Sequence, residues 1–215
     1  MSAFSNDPDL NISVSHFKKF KLVFLGNQGV GKTSVIQRYV FDTFDEASNP
    51  TIGVDFVVKS IYSGESTYKF HFWDTAGQER FKTLIPSYIK DCQIAILVYD
   101  VSSRSSFDAV DSWWDNIRSE RGEDFVLGLL GNKIDCERRE VSAEEGLRKA
   151  EQIKALFQEC SARTGENLNS FFKLVLETLV KAAGEQSELG ELDSRAGFRL
   201  GAEQPAPAAS QRRCC

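Results

Sequence analysis

Gly26-Asn27-Gln28-Gly29-Val30-Gly31-Lys32-Thr33 fits the pattern G-x-x-x-x-G-K-[ST] and sits where that pattern has a mechanism. The apolar run Leu22-Val23-Phe24-Leu25 before it reads as a buried strand. After it, Val35, Ile36 and Tyr39 are spaced for one apolar face of a helix over residues 31–40. A strand that turns through glycines into a helix N-terminus leaves several backbone N–H groups without partners, all aimed at one spot. Those donors and the helix dipole make a polyphosphate pocket from Gln28, Gly29, Val30, Gly31 and Ser34. Lys32 would reach the outer phosphates, and the Thr33 hydroxyl would take Mg²⁺. A nucleoside triphosphate is the expected ligand.

The rest of the chain is consistent with one domain around that loop. Its 215 residues are enough for one core of ordinary size with some length left over. A net charge of −5 gives no electrostatic support to a general nucleic-acid-binding role. No apolar run has the length to cross a bilayer, and residues 1–11 are polar and acidic, so the cytosol is the expected compartment. Cys92, Cys136 and Cys160 are scattered singly, which argues for reduced thiols. His16 and His71 lie far apart with no ligand-spaced cysteine cluster, so no zinc site is assigned.

Strand-like segments at 21–25, 55–62, 68–73, 94–99, 125–130 and 156–159 alternate with helix-like segments at 31–40, 105–120, 143–154 and 168–181. The runs at 94–98 and 125–130 are almost continuously apolar, as in parallel strands covered on both faces. Residues 55–73 instead alternate around a Ser63-Gly64-Glu65-Ser66 turn, which reads as an antiparallel hairpin at the sheet edge. The expectation is an α/β fold: a mostly parallel six-stranded sheet, one antiparallel edge strand, and helices on both faces. Residues 1–16 read as a flexible segment and 17–182 as the packed domain. Residues 183–215 are rich in small, polar and proline residues and read as a flexible tail reaching about 30 Å. Trp113-Trp114 on a helix reads as packing.

Three more stretches fall at strand ends, where such folds bind ligands. In Trp73-Asp74-Thr75-Ala76-Gly77-Gln78, Asp74 can hold Mg²⁺, Gly77 lets a backbone N–H approach a γ-phosphate, and Gln78 could orient an attacking water. In Asn132-Lys133-Ile134-Asp135, Asp135 can accept both N1–H and N2–H of guanine. Adenine would leave that carboxylate, expected to be buried, without partners. The Lys133 stem can cover the base. Taken alone this stretch would read as a solvated loop. Ser161-Ala162 would close the pocket, with the Ala162 N–H near the guanine oxygen. Thr51, in Pro50-Thr51-Ile52-Gly53, can give Mg²⁺ a second hydroxyl, and Phe44 could stack against the base edge.

The ordered set GNQGVGKT, PTIG, WDTAGQE, GNKID and CSAR resembles the Ras superfamily of small GTPases, with a P-loop GTPase fold. Gly53-Val54-Asp55-Phe56, Gln78-Glu79-Arg80-Phe81 and Leu97-Val98-Tyr99-Asp100 resemble the Rab branch. Lys82-Thr83-Leu84-Ile85-Pro86-Ser87-Tyr88-Ile89-Lys90-Asp91 and Glu120-Arg121-Gly122 look most like its Golgi-associated members. The resemblance implies a GTP/GDP switch with Mg²⁺, two loops at about 42–53 and 74–90 ordered by the γ-phosphate, and catalytic Gln78. It implies an effector surface at Ile52, Phe56, Trp73 and Tyr88, although Trp73 taken singly reads equally well as core. The implied partners are an exchange factor, an activating protein that supplies an arginine, effectors, and prenylation and membrane-extraction chaperones. The implied setting is vesicle traffic at Golgi membranes.

Two positions depart from the common pattern. Gln28 stands where a small residue is usual and could slow hydrolysis, which leaves open a GTP-locked, membrane-tethered binding module. Arg163 stands where lysine is usual. A metabolic kinase using ATP is a third reading, opposed by Asp135. The chain ends Arg212-Arg213-Cys214-Cys215, which is not the C-a-a-X pattern. The Rab resemblance implies geranylgeranylation of both Cys214 and Cys215, and two lipids suit stable anchoring where one is marginal.

Overall fold

Alternation along the strands decides how the sheet is covered. On β1 (Phe17–Leu25), Phe20, Leu22 and Phe24 point into one apolar cluster while Val23 and Leu25 point into another. On β4 (Ile94–Asp100), Ile94, Ile96 and Val98 join the first and Ala95, Leu97 and Tyr99 the second. A period of two divides each strand between two cores, so both faces need helices. The computed structural model describes residues 17–182 apart from 48, 64–65, 78–84 and 123–124.

The remaining strands are β2 (Val54–Ser63), β3 (Ser66–Thr75), β5 (Val126–Asn132) and β6 (Leu156–Glu159). The six strands run in the order β2-β3-β1-β4-β5-β6, parallel except for the antiparallel β2–β3 pair at one edge. α1 (Lys32–Phe41) and α6 (Leu168–Ala182) line the first core. α2 (Ile85–Ile89), α3 (Arg104–Asp108), α4 (Val110–Arg121) and α5 (Ala143–Ile153) line the second. Tyr39 of α1 stacks on Phe172 of α6 with ring centroids 3.8 Å apart, a contact worth about 1 kcal/mol beyond area burial. It fixes the helix that carries Lys32 and Thr33.

The expected architecture is present, with local differences. The apolar pattern at 105–120 is broken at Ala109 into α3 and α4, because Ser103 starts a separate short helix by accepting the Ser106 N–H. α2 is too short to show a helical period. β1 begins at Phe17, four residues earlier than the segment expected at 21–25, because Lys18 and Lys19 pair with β3 while presenting polar side chains. Gln78, the N-terminal segment, the tail and both terminal cysteines lie outside the described residues.

Candidate nucleotide site

The C-terminal ends of β1, β3, β5 and β6 surround a cavity of about 680 Å³. Gln28, Gly29, Gly31, Lys32, Thr33, Ser34, Phe44, Thr51, Gly77, Asn132, Lys133, Asp135 and Ala162 all line it. The loop from Gly26 to Gly31 places three glycines at positive φ, where a side chain would be strained. Gly31, at φ +94°, starts α1 without any side-chain cap, so the helix N-terminus stays open toward the cavity. A Cβ at Gly31 would collide with the Asn132 amide, and one at Gly77 would collide with the backbone of Asn27 and Gln28. The strand-end loop after β3 therefore lies directly against the phosphate loop.

Lys32 Nζ donates to the carbonyls of Gly26 and Asn27 at 2.9 and 3.0 Å, which folds the loop around it. It is only 5% exposed, and burial lowers its pKa to about 8 against the opposing pull of Asp74. A buried cation with incomplete charge balance is suited to a polyanion.

Three oxygens from distant segments converge beside it. Thr33 Oγ1 is 2.5 Å from Asp74 Oδ2 and 2.6 Å from Thr51 Oγ1, while Thr51 Oγ1 is 3.3 Å from the same carboxylate oxygen. Asp74 Oδ1 is buried and has no hydrogen-bond partner. Burial raises the Asp74 pKa, opposed by its bonds to Thr33 and Thr51 and by Lys32. An orphaned carboxylate oxygen beside two hydroxyls is an all-oxygen donor set. It fits a hard cation such as Mg²⁺ that also binds phosphate. Among the described residues no cluster of three His, Cys, Asp or Glu offers an alternative metal site.

At the far end of the cavity the structure changes the roles expected of Ala162, Asp135 and Ser161. Asn132 is 1% exposed and acts as a staple: Nδ2 donates to the Val30 carbonyl at 2.9 Å, and Oδ1 accepts from the Ala162 N–H at 3.0 Å. The Ala162 N–H, expected to face a guanine oxygen, is therefore engaged by Asn132, because a buried amide oxygen requires a donor. Asp135 is exposed at the rim rather than buried. Its selectivity must come from desolvation when a base covers it. Ser161 Oγ donates to Asp135 Oδ1 at 2.6 Å, so its role is to aim the carboxylate. Lys133, at φ +70°, bridges to Asp100 at 2.6 Å, which holds its stem along the base side of the cavity.

Trp113 was not legible as part of the site. It is buried, and its Nε1 donates to Asn27 Oδ1 at 2.8 Å, pinning the phosphate loop from α4. The three aromatics expected at an effector surface form one contact chain: Phe56 to Trp73 at 5.1 Å and Trp73 to Tyr88 at 5.3 Å between ring centroids. Trp73 is half-buried, and Lys21 Nζ lies 4.8 Å from its ring centre. Ile52, in the neighbouring loop, is 83% exposed.

This geometry provides a polyphosphate cradle, a hard-cation donor set and a base slot with an aimed carboxylate. The family model described as "Ras family" matches residues 21–181, which contain every element of that cavity. Ras-family proteins bind GTP and GDP with Mg²⁺ and engage exchange factors, activating proteins and effectors. The chain belongs to the Ras family of small GTPases.

Proposed function

We propose that this chain is a Rab-type switch that recruits effectors to Golgi membranes in vesicle traffic. The observation that carries the reading is the Phe56–Trp73–Tyr88 contact chain beside exposed Ile52. It joins β2, β3 and α2 into an apolar surface next to the loops holding Thr51 and Gly77, and such surfaces suit protein partners. Lys32 and the open α1 N-terminus would hold the phosphates. Thr33, Thr51 and Asp74 would hold Mg²⁺, which would neutralise charge developing on the phosphates. Because the Ala76 N–H bonds the Gly53 carbonyl at 2.9 Å, movement of either loop reaches the other and the aromatic surface.

Gln78 would orient the attacking water. Gln28 is exposed, so its amide can turn to solvent when an activating arginine enters. That favours a hydrolysing switch over a GTP-locked module. Among the described residues no helix is long and apolar enough to cross a membrane. Attachment would rest on Cys214 and Cys215.

Imaging and fractionation of the full chain test the proposal. The parent and Gln78→Leu should both sit on Golgi membranes, with Gln78→Leu retaining GTP when activator is present. Cys214→Ser with Cys215→Ser should be released to the cytosol while still binding nucleotide. A double-serine chain that stays on membranes would refute the lipid anchor. A Trp73→Ala chain that captures the same GTP-state partners as the parent would refute the effector surface.

A further inference from the structure

Arg38, on the outer turn of α1, touches neither the phosphates nor the base slot, yet its guanidinium is shared between two loops of the cavity. Nε donates to the Ala162 carbonyl at 3.0 Å and Nη2 to the Arg163 carbonyl at 2.5 Å. Nη1 donates to the Asp42 carbonyl and to Asp42 Oδ1 at 3.1 and 3.2 Å. One edge of the fork thus holds two successive carbonyls of the base loop, and the remaining nitrogen holds the first residue of the 42–53 loop. The stem of Arg38 lies against Gly165, whose φ of +86° turns the base loop back over it. With Asn132 Oδ1 accepting from the Ala162 N–H, residue 162 is held through both its backbone donor and its backbone acceptor.

A second link crosses the cavity rim. Arg163, the residue that departs from the usual lysine, reaches Glu46 at 3.3 Å. Both side chains are exposed, so this pair alone contributes little. It nevertheless joins the same two loops as Arg38, further along each. The 42–53 loop also carries Thr51 of the metal donor set and Phe44, so contacts at the metal end and at the base end share one scaffold.

We propose that Arg38 is a positioning residue that couples the base loop to the 42–53 loop. Loss of the metal at one end then loosens the base at the other. The inference rests on the cavity being the guanine-nucleotide site. Only an arginine meets the geometry: its planar fork presents several donors in fixed directions, whereas a lysine ammonium cannot span Ala162, Arg163 and Asp42 together.

The test uses the full chain loaded with a ribose-labelled, non-hydrolysable GTP analogue, and measures release by stopped flow with Mg²⁺ present and after chelation. With Mg²⁺, Arg38→Lys should speed release on the order of tenfold, the equivalent of one charge-assisted hydrogen bond. Chelation should then accelerate Arg38→Lys several-fold less than it accelerates the parent, because the coupling through which metal loss reaches the base is already gone. A residue that only packed α1 would leave the fold-acceleration by chelation unchanged. Arg163→Ala, at an exposed position that does not threaten folding, should show a smaller shift in the same direction. Equal chelation effects in the parent and both variants would overturn the coupling. A parent that held no guanine nucleotide would overturn the site assignment, and this inference with it.

Discussion

Replacing Asn132 with alanine separates a base ligand from a structural staple. The side chain is almost fully buried and holds two segments: the phosphate loop through the Val30 carbonyl, and the base loop through the Ala162 N–H and the Cys160 thiol at 3.7 Å. Alanine would strand a buried carbonyl and a buried N–H. Each such group costs about 1–3 kcal/mol when left without a partner, and some relief follows if water enters, so a total near 3 kcal/mol is expected. For a domain of this size each kcal/mol lowers Tm by roughly 2–4 °C, giving a fall of about 6–12 °C. The assay is thermal and urea unfolding of the nucleotide-free protein, followed by GDP affinity. Nucleotide-free stability should fall with affinity, and Asn132→Asp should fall too, because an oxygen would then face the Val30 carbonyl. If Asn132→Ala lost GDP affinity while the nucleotide-free protein melted within 2 °C of the parent, on the same scale, the staple argument would be wrong. Asn132 would then act on the base alone.

Asp135→Asn should lower GTP affinity roughly a hundredfold or more and favour XTP, since two charge-assisted bonds to guanine are lost and the amide can donate to the xanthine C2 oxygen. Equilibrium titration with both nucleotides checks this, and unchanged GTP affinity would remove the assignment. Thr33→Asn should weaken the triphosphate more than GDP, because the longer side chain displaces Thr51 and Asp74 from their 2.5–2.6 Å contacts. Equal losses for the two nucleotides would mean that Thr33 is not a metal ligand. Lys32 gives a pH dependence of stated sign. Its folded pKa lies near 8, below the unfolded value of 10.5, so the unfolded chain holds more protons between those limits. Nucleotide-free stability should therefore rise across that window, with Lys59, also lowered to about 8 by burial, adding to the slope. Bound polyphosphate would raise the Lys32 pKa, so affinity should be full below pH 8 and decline above it. Calorimetry in buffers of different ionisation enthalpy should register proton uptake near pH 8.5, and none in Lys32→Met.

Local chemistry made much of this protein legible in one dimension. The phosphate loop, its flanking strand and helix, the buried runs of β4 and β5, and the edge hairpin all follow from side-chain period and glycine placement, which act within a few residues. The residue types at strand ends were legible for the same reason. Thr33, Thr51, Asp74 and Asp135 carry oxygen donors wherever they are placed, and the parallel topology brings strand ends together.

Which group a donor meets was decided only in three dimensions. Asn132 opens the stretch that carries Asp135, but its own amide is consumed between Val30 and Ala162, which lie 102 and 30 residues away. Asp135 has no sequence signal to say that it sits at an exposed rim. Trp113 reads as packing, and its indole N–H finds Asn27 across 86 residues. Arg38 has the pattern of an ordinary helical arginine, and its partners at 162 and 163 exist only because α1 packs beside α6, into which that loop leads. Periodicity and backbone preference are set by neighbours along the chain. Hydrogen-bond satisfaction is set by whatever the packed core brings within 3 Å, because a buried polar group takes the partner that closure leaves it.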